Sequence, residues 1–406
     1  MIAGSLALAT ALGAQGQRKQ AGPDPYTGGD RALLERLGYV SLGPFELGTG
    51  HDSTAVEELL GTEPLAWIET AHFRLGCSLS PLLLRGQQDW SKEWIRSVHA
   101  ELDELRELLP KGRIKKRVKS LDPWLRAHLT AYRMEKLYAE TMALFGVTDE
   151  SFPKDPAKVL IGPKDTYMGY GPYLGMRDKF LLLVTEKEST HRQYLKKFVG
   201  RDSKFPQRWH FTDASSLLFA CPTESDDFPL KHDTALHCAL AFNVSQNLLD
   251  GFRYYAYDVP VWIKEGFGHW NSRRIDGKWS SFDQNEGSVA DVKQLDKWRP
   301  YAKSLLNKTG KWASFPTVAG WRDFGAITFN DHVMVFSRMD YLLSLGPTKW
   351  QTFLRTVKGR VDDQWRPDQR DLVGATREGL KKAYGLTFLN FDDRWKTWVK
   401  ETYPSK

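Results

Sequence analysis

A chain of 406 residues with 41% hydrophobic and 26% charged residues is long enough for two core-bearing lobes and too apolar for wholesale disorder. The net charge of +7 permits weak attraction to anionic surfaces, but no nucleic-acid motif accompanies the basic run Lys111-Gly-Arg-Ile-Lys-Lys-Arg-Val-Lys119. That run reads as a charged connector, no specific nucleic-acid partner is expected, and three cysteines (Cys77, Cys221, Cys238) without a CxxC exclude a disulfide scaffold.

In chain order, Met1 to Ala14 is an apolar stretch of small residues, too short to span a bilayer and followed at once by polar Gln15-Gly-Gln-Arg. It reads as the hydrophobic part of a signal peptide over residues 1–16, without the usual basic leader, and points to a secreted or periplasmic protein. No later apolar run is long enough to cross a membrane, so the chain is not expected to be membrane-spanning. Residues 17–60, rich in Gly, Pro and charge, are expected to be a poorly structured lead-in.

Leu65 to Cys77 carries the β-branched and aromatic residues of a strand, and Lys158–Gly162, Lys179–Val184 and Trp209–Ala220 have strand character too. Trp94–Leu109 and Pro123–Leu144 are amphipathic helices, the second opened by Asp122-Pro123 and stopped by Gly146. Tyr167 to Gly175 is a glycine- and tyrosine-rich loop that lacks a phosphate-binding register. Helices are then expected over Leu236–Leu249, Val261–Arg274, His332–Leu345, Lys349–Val357 and Leu372–Tyr384. This order predicts an α+β protein of two lobes. Residues 61–250 form an N-terminal lobe of mixed sheet and helices ending in the candidate site helix, and residues 251–406 form a mainly helical C-terminal lobe that carries Glu265.

The stretch from Leu236 to Trp270 bears on chemistry. A helix-borne zinc site needs ligands at i and i+4, which 3.6 residues per turn put on one face, with a carboxylate beside the first to take a proton from water. Three registers of the first helix approach this pattern. Phe242-Asn-Val-Ser-Gln246 ends 19 positions before Glu265, a candidate third ligand, but has neither histidine nor base. Asp233-Thr-Ala-Leu-His237 keeps two potential ligands without the base, and His237-Cys-Ala-Leu-Ala241 keeps one. Since every register lacks the base, ordinary zinc-water hydrolysis is disfavoured.

Two readings of these residues stay open. Asp233 with His237, and Glu265 with His269, are i, i+4 pairs that two facing helices could bring together as a four-ligand metal site. Alternatively, His237 and His269 are satisfied polar residues of a vestigial cleft, with Cys238 packed as a small hydrophobe.

The chain resembles the gluzincin-type, peptidase-MA-like zinc metallopeptidases, as a divergent member without an intact HExxH motif. The likeness rests on Glu69-Thr-Ala-His-Phe-Arg-Leu75, on Pro260-Val-Trp-Ile-Lys-Glu-Gly266, on Asn330 to Leu343, and on Leu380 to Leu386 followed by Arg394-Trp-Lys-Thr-Trp398. It spans residues 65 to 403 and implies a zincin-like two-lobed fold in which the position of Glu265 binds zinc.

The function expected is thus a secreted metallopeptidase-like protein without normal zinc-dependent hydrolysis. It would bind peptide or another polymer in a residual cleft lined by Trp262, Trp270 and Tyr257, and would hold either no cofactor or a single zinc ion. The alternative is a divergent zinc hydrolase using His237, Glu265 and His269, with Asp233 as a further ligand.

Overall fold

The computed structural model describes residues 22–406 except 62, 85–90, 156, 158, 160–163, 226–229, 256–258, 281–295, 309 and 326. The signal segment 1–16, most of the strand expected at Lys158–Gly162, and Tyr257 lie outside the described residues.

The chain is an α+β protein built on a mixed sheet. Its N-terminal part contains α1 (Arg31–Arg36), β1 (Tyr39–Ser41), α2 (Ser53–Leu60), β2 (Ala66–Thr70), β3 (Phe73–Cys77), β4 (Leu82–Leu83), α3 (Lys92–Leu108), β5 (Ser120–Leu121) and α4 (Pro123–Phe145). Then come β6 (Phe180–Lys187), α5 (Glu188–Tyr194), β7 (Gln207–Phe211), β8 (Ser216–Glu224) and α6 (Asp233–Gly251). Beyond α6 all named elements are helical: α7 (Val261–Ile275), α8 (Trp298–Leu305), α9 (Phe315–Ala319), α10 (Phe329–Ser344), α11 (Pro347–Val357), α12 (Leu372–Tyr384) and α13 (Phe391–Thr402).

Six strands form one sheet in the order β1-β2-β3-β6-β8-β7, parallel at β3/β6 and β6/β8 and antiparallel elsewhere. Alternation of side chains sends Leu75, Leu182 and Phe219 to the face covered by α4 and α6, and Trp67, Leu181, Leu183 and Leu218 to the face covered by α2 and α5. The apolar core on the first face continues through α6 and α7 to α13, so the two expected lobes share one core. Trp262, Trp298, Trp350 and Trp395 are buried within it. Among the described residues no helix is long and apolar enough to cross a membrane.

Two expectations change in detail. Leu65–Cys77 and Trp209–Ala220 each contain a turn and fold as hairpins, β2–β3 and β7–β8, rather than single strands. The lead-in expected to be poorly structured is ordered from residue 22 onward, because polar groups tie it to α4. The Asp24 carboxylate accepts from the Tyr26 amide at 2.9 Å and faces His128 Nε2 at 3.1 Å, Tyr39 stacks on His128, and Trp124 Nε1 donates to the Gly22 carbonyl at 2.8 Å.

A further clamp ties the β2–β3 turn to α4. His72 Nδ1 lies 2.7 Å from Glu135 Oε2 and its Nε2 lies 3.2 Å from Asp149 Oδ2, while its ring stacks on Tyr138. Burial opposes the charged imidazole, but Glu135 and then Asp149 outweigh it and raise the His72 pKa above its ordinary 6.5. Glu135 is likewise held below its ordinary 4.5, since His72 and Thr70 outweigh the cost of its burial. The histidine contribution is therefore present below pH 6.5 and is lost as pH rises through its raised folded value. The carboxylate contribution is present above pH 4.5 and is lost as pH falls through its depressed folded value. Urea unfolding of wild type and His72→Gln at pH 5.5 and pH 8.5 is expected to show a gap of roughly 1–2 kcal/mol at the lower pH that shrinks at the higher one, the scale of a charge-assisted hydrogen bond. A gap independent of pH would show that the clamp is uncharged.

Candidate metal centre

Three helices build the centre of the C-terminal half. α6 starts at the N-cap His232, whose side chain accepts from the Thr234 amide, and nearly all of its residues are buried. α7 follows Pro260, which presets the entry to a helix. α10 opens with a capping box in which Thr328 and Asp331 satisfy each other's backbone amides.

The stretch Glu265-Gly-Phe-Gly-His269 on α7 lets both neighbours approach closely. A Cβ at Gly268 would lie 2.6 Å from Gln246 Nε2 and 2.9 Å from the Phe242 ring, both on α6. A Cβ at Gly266 would lie 2.9 Å from the Val335 carbonyl of α10. The two glycines lie between Glu265 and His269 and allow α6 and α10 to close around this stretch.

Glu265, His269 and His332 meet inside this sandwich with no exposed surface. Glu265 Oε2 lies 3.1 Å from His332 Nδ1 and 3.6 Å from His269 Nε2, and the two imidazole nitrogens are 3.1 Å apart. Gln246 Nε2 donates to the other carboxylate oxygen, Oε1, at 3.3 Å. Phe242 and Trp298 pack their rings against His269, each at 4.9 Å between centroids. Burial first, then the neighbouring His332 and Arg273, push the His269 pKa well below its ordinary value, which keeps the ring neutral.

These residues fit a divalent cation by two observations. Zinc bonds of about 2.0–2.1 Å in a tetrahedron set donor–donor edges of about 3.3–3.4 Å. The edges here are 3.1, 3.1 and 3.6 Å, and a point about 1.9 Å from all three donor atoms lies in their plane, close to a zinc bond length. Second, among the described residues the carboxylate has no lysine or arginine within ion-pair distance, its Oε2 accepts no well-formed hydrogen bond, and the nearby Gln246 Oε1 has no donor. An imidazole–carboxylate set of this kind suits zinc and related first-row ions.

The register of α6 that faces Glu265 is Phe242–Gln246. Phe242 occupies the position of a first zinc histidine and Gln246 that of the second. Asn243, at the position of the base, turns its amide onto the Ala239 carbonyl at 3.0 Å. Positions 242–246 hold no carboxylate and no histidine.

Of the four ligands expected from the sequence, Glu265 and His269 come together and the other two are employed elsewhere. Asp233 is gripped by Arg133 through two hydrogen bonds of 3.0 and 2.8 Å and accepts from Trp94 Nε1 at 3.2 Å. Burial would raise its carboxyl, but the Arg133 guanidinium outweighs that and holds it far below the usual range. His237 lies nine residues before Gln246, about 13.5 Å along the helix axis at 1.5 Å per residue, and lines a separate cavity. Of the residues expected to line a cleft, Trp262 is wholly buried edge-on to Phe315 and offers no surface to a ligand. Trp270 is partly exposed, with its indole N–H directed to Asp340 at 3.3 Å and Arg274 stacked over its ring. The Cys238 thiol donates toward the carbonyls of Ser272 and Asp276, and burial pushes it up to about 12, which leaves it inert.

His332 is the candidate ligand that the sequence did not single out. The signal for it is a histidine in the otherwise apolar run Val333-Met-Val-Phe336 on a helix that already resembled one packed behind a metal site.

Gly268→Ala is expected to destabilise the protein by about 1–3 kcal/mol in chemical denaturation, the usual cost of overpacking. Gly22→Ala, whose Cβ meets nothing within 4 Å, should fall within about 0.5 kcal/mol of wild type, as surface changes do. Equal stability of the two variants would mean that α6 and α7 are not held at this distance. No family model, no curated protein and no solved structure matches the chain in comparisons with known proteins.

Proposed function

We propose that this is a zincin-like protein, exported from the cell, that binds rather than cleaves, and whose centre is a closed zinc site made by Glu265, His269 and His332 with the Gln246 amide oxygen as fourth donor. The observation that carries this reading is the convergence of three donor atoms at tetrahedral spacing in a place with no exposed surface. A structural zinc site is four-coordinate and closed, whereas a catalytic one keeps a position open for water or substrate. Here the aromatic packing of Phe242 and Trp298 closes the site, and the base position holds Asn243. The metal would neutralise the buried Glu265 carboxylate and join α7 to α10, a connection worth free energy of folding.

Metal content of the full chain, purified without chelator and then reconstituted with zinc, tests this. About one zinc per chain is expected, lost in Glu265→Gln and His332→Gln and retained in His237→Gln. Because the first two variants remove buried groups, a second measurement uses wild type alone. At zinc about 100-fold above its Kd, linkage adds about 2.7 kcal/mol, so the melting temperature should rise by several degrees and fall back on chelation. Absence of zinc together with an unchanged melting temperature would overturn the metal centre and leave a hydrogen-bonded Glu–His–His cluster. Zinc-dependent peptide cleavage abolished by Glu265→Gln would favour the hydrolase alternative.

A further inference from the structure

A second site lies on a different part of α6 from the metal centre and does not depend on it. A cavity of about 200 Å³ opens where α3, α4, α6 and α7 meet. Its apolar side is formed by Leu137, Ala241 and Ile275, and its polar side by residues whose bonding is uneven. Arg133 is fully engaged by Asp233 and Glu101. By contrast, Lys136 is exposed and has no carboxylate within ion-pair distance among the described residues. His237 makes no hydrogen bond to any described residue although its imidazole lines the cavity. Asn271 commits its amide N–H to the Phe267 carbonyl at 2.9 Å, which leaves its side-chain oxygen for another partner. Glu140, one turn beyond Lys136 on α4, is held only by a long 3.4 Å contact to Arg274.

The cavity therefore offers, within one small space, an uncompensated cation with an imidazole, a weakly committed carboxylate with an amide oxygen, and an aliphatic wall. It is smaller than the ~300–1,000 Å³ typical of drug-sized ligands. Three cations (Arg133, Lys136, Arg274) face three carboxylates (Glu101, Glu140, Asp233), so a ligand without net charge leaves the local balance intact. We propose that this cavity binds a free α-amino acid with an aliphatic side chain. The ligand's carboxylate takes Lys136 and the His237 N–H, its ammonium takes Glu140 and the Asn271 oxygen, and its side chain lies on Leu137, Ala241 and Ile275. Burial, with the charges of Arg133 and Lys136, lowers the His237 pKa well below its ordinary value, so the ring meets the carboxylate as a neutral donor.

The test is calorimetric titration of the full chain with L-leucine, 4-methylpentanoate, isoamylamine and the tripeptide Gly-Gly-Leu. Saturable binding of L-leucine is expected, with 4-methylpentanoate and isoamylamine each at least about tenfold weaker, because each lacks one charge-assisted contact. Lys136→Gln, a surface change that should leave the melting temperature unaltered, is expected to weaken L-leucine about tenfold and leave isoamylamine unaffected. Ala241→Met, which fills the aliphatic wall, should abolish binding of both. No saturable binding of L-leucine, equal binding of 4-methylpentanoate, tighter binding of the tripeptide, or indifference to Lys136→Gln would each overturn the proposal.

Discussion

The constraint on which the rest depends is the spacing of α7 between α6 and α10. Two glycines, Gly266 and Gly268, remove side chains where the neighbours press closest, and the helices come together until the Val335 carbonyl, the Gln246 amide and the Phe242 ring are at contact. Glu265 and His269 point into the space this creates. The centre they form has no exposed surface, and the rings of Phe242 and Trp298 pack against His269. A carboxylate in such a place must have its charge met by a proton, by an imidazolium or by a metal ion, since a bare buried charge is prohibitively expensive. The three donor atoms lie at edge lengths that suit the third solution, and His332 Nδ1, 3.1 Å from Oε2, is placed for the second.

The same rule of compensation explains where the other candidate ligands went. Asp233 is as buried as a metal ligand would be, but its charge is met by Arg133, which Glu101 also shares. An arginine fork satisfies both carboxylate oxygens at once, so this ion pair ties α3, α4 and α6 together and leaves Asp233 nothing to offer a metal. His237, one turn further along, then faces the cavity beside Arg133 rather than the interior of the helix sandwich. The two polar clusters sit on different parts of α6: one between α6, α7 and α10, the other where α6 meets α3, α4 and the C-terminal turn of α7.

Much of the architecture was legible in the chain. Helix limits at Asp122-Pro123 and Gly146 agree closely with the structure, because capping chemistry and a left-handed glycine are local properties. The hairpins at 66–77 and 207–224 were read as single strands, since their turns carry no Asn-Gly or Pro-Gly signal; the first is anchored instead by Glu135 on a distant helix, through Thr70 and His72. The lead-in up to residue 60 looked loose on composition, yet the partners that order it, His128 and Trp124, stand roughly a hundred residues away. In the centre, Glu265 and His269 were visible because they share a face of one helix. His332 was not, because its approach depends on how α10 packs.

The sequence by itself determined the longer helices and the lack of a base beside any potential zinc ligand on α6; both follow from residues close together in the chain. Only the tertiary structure decided that Phe242–Gln246 is the register opposite Glu265, that Asp233 belongs to Arg133, and that His332 completes the centre. The reason is physical. A side chain's partner across a helix interface is fixed by the distance and rotation of two packed helices, and here these are set by glycines and by apolar faces spread over the whole chain.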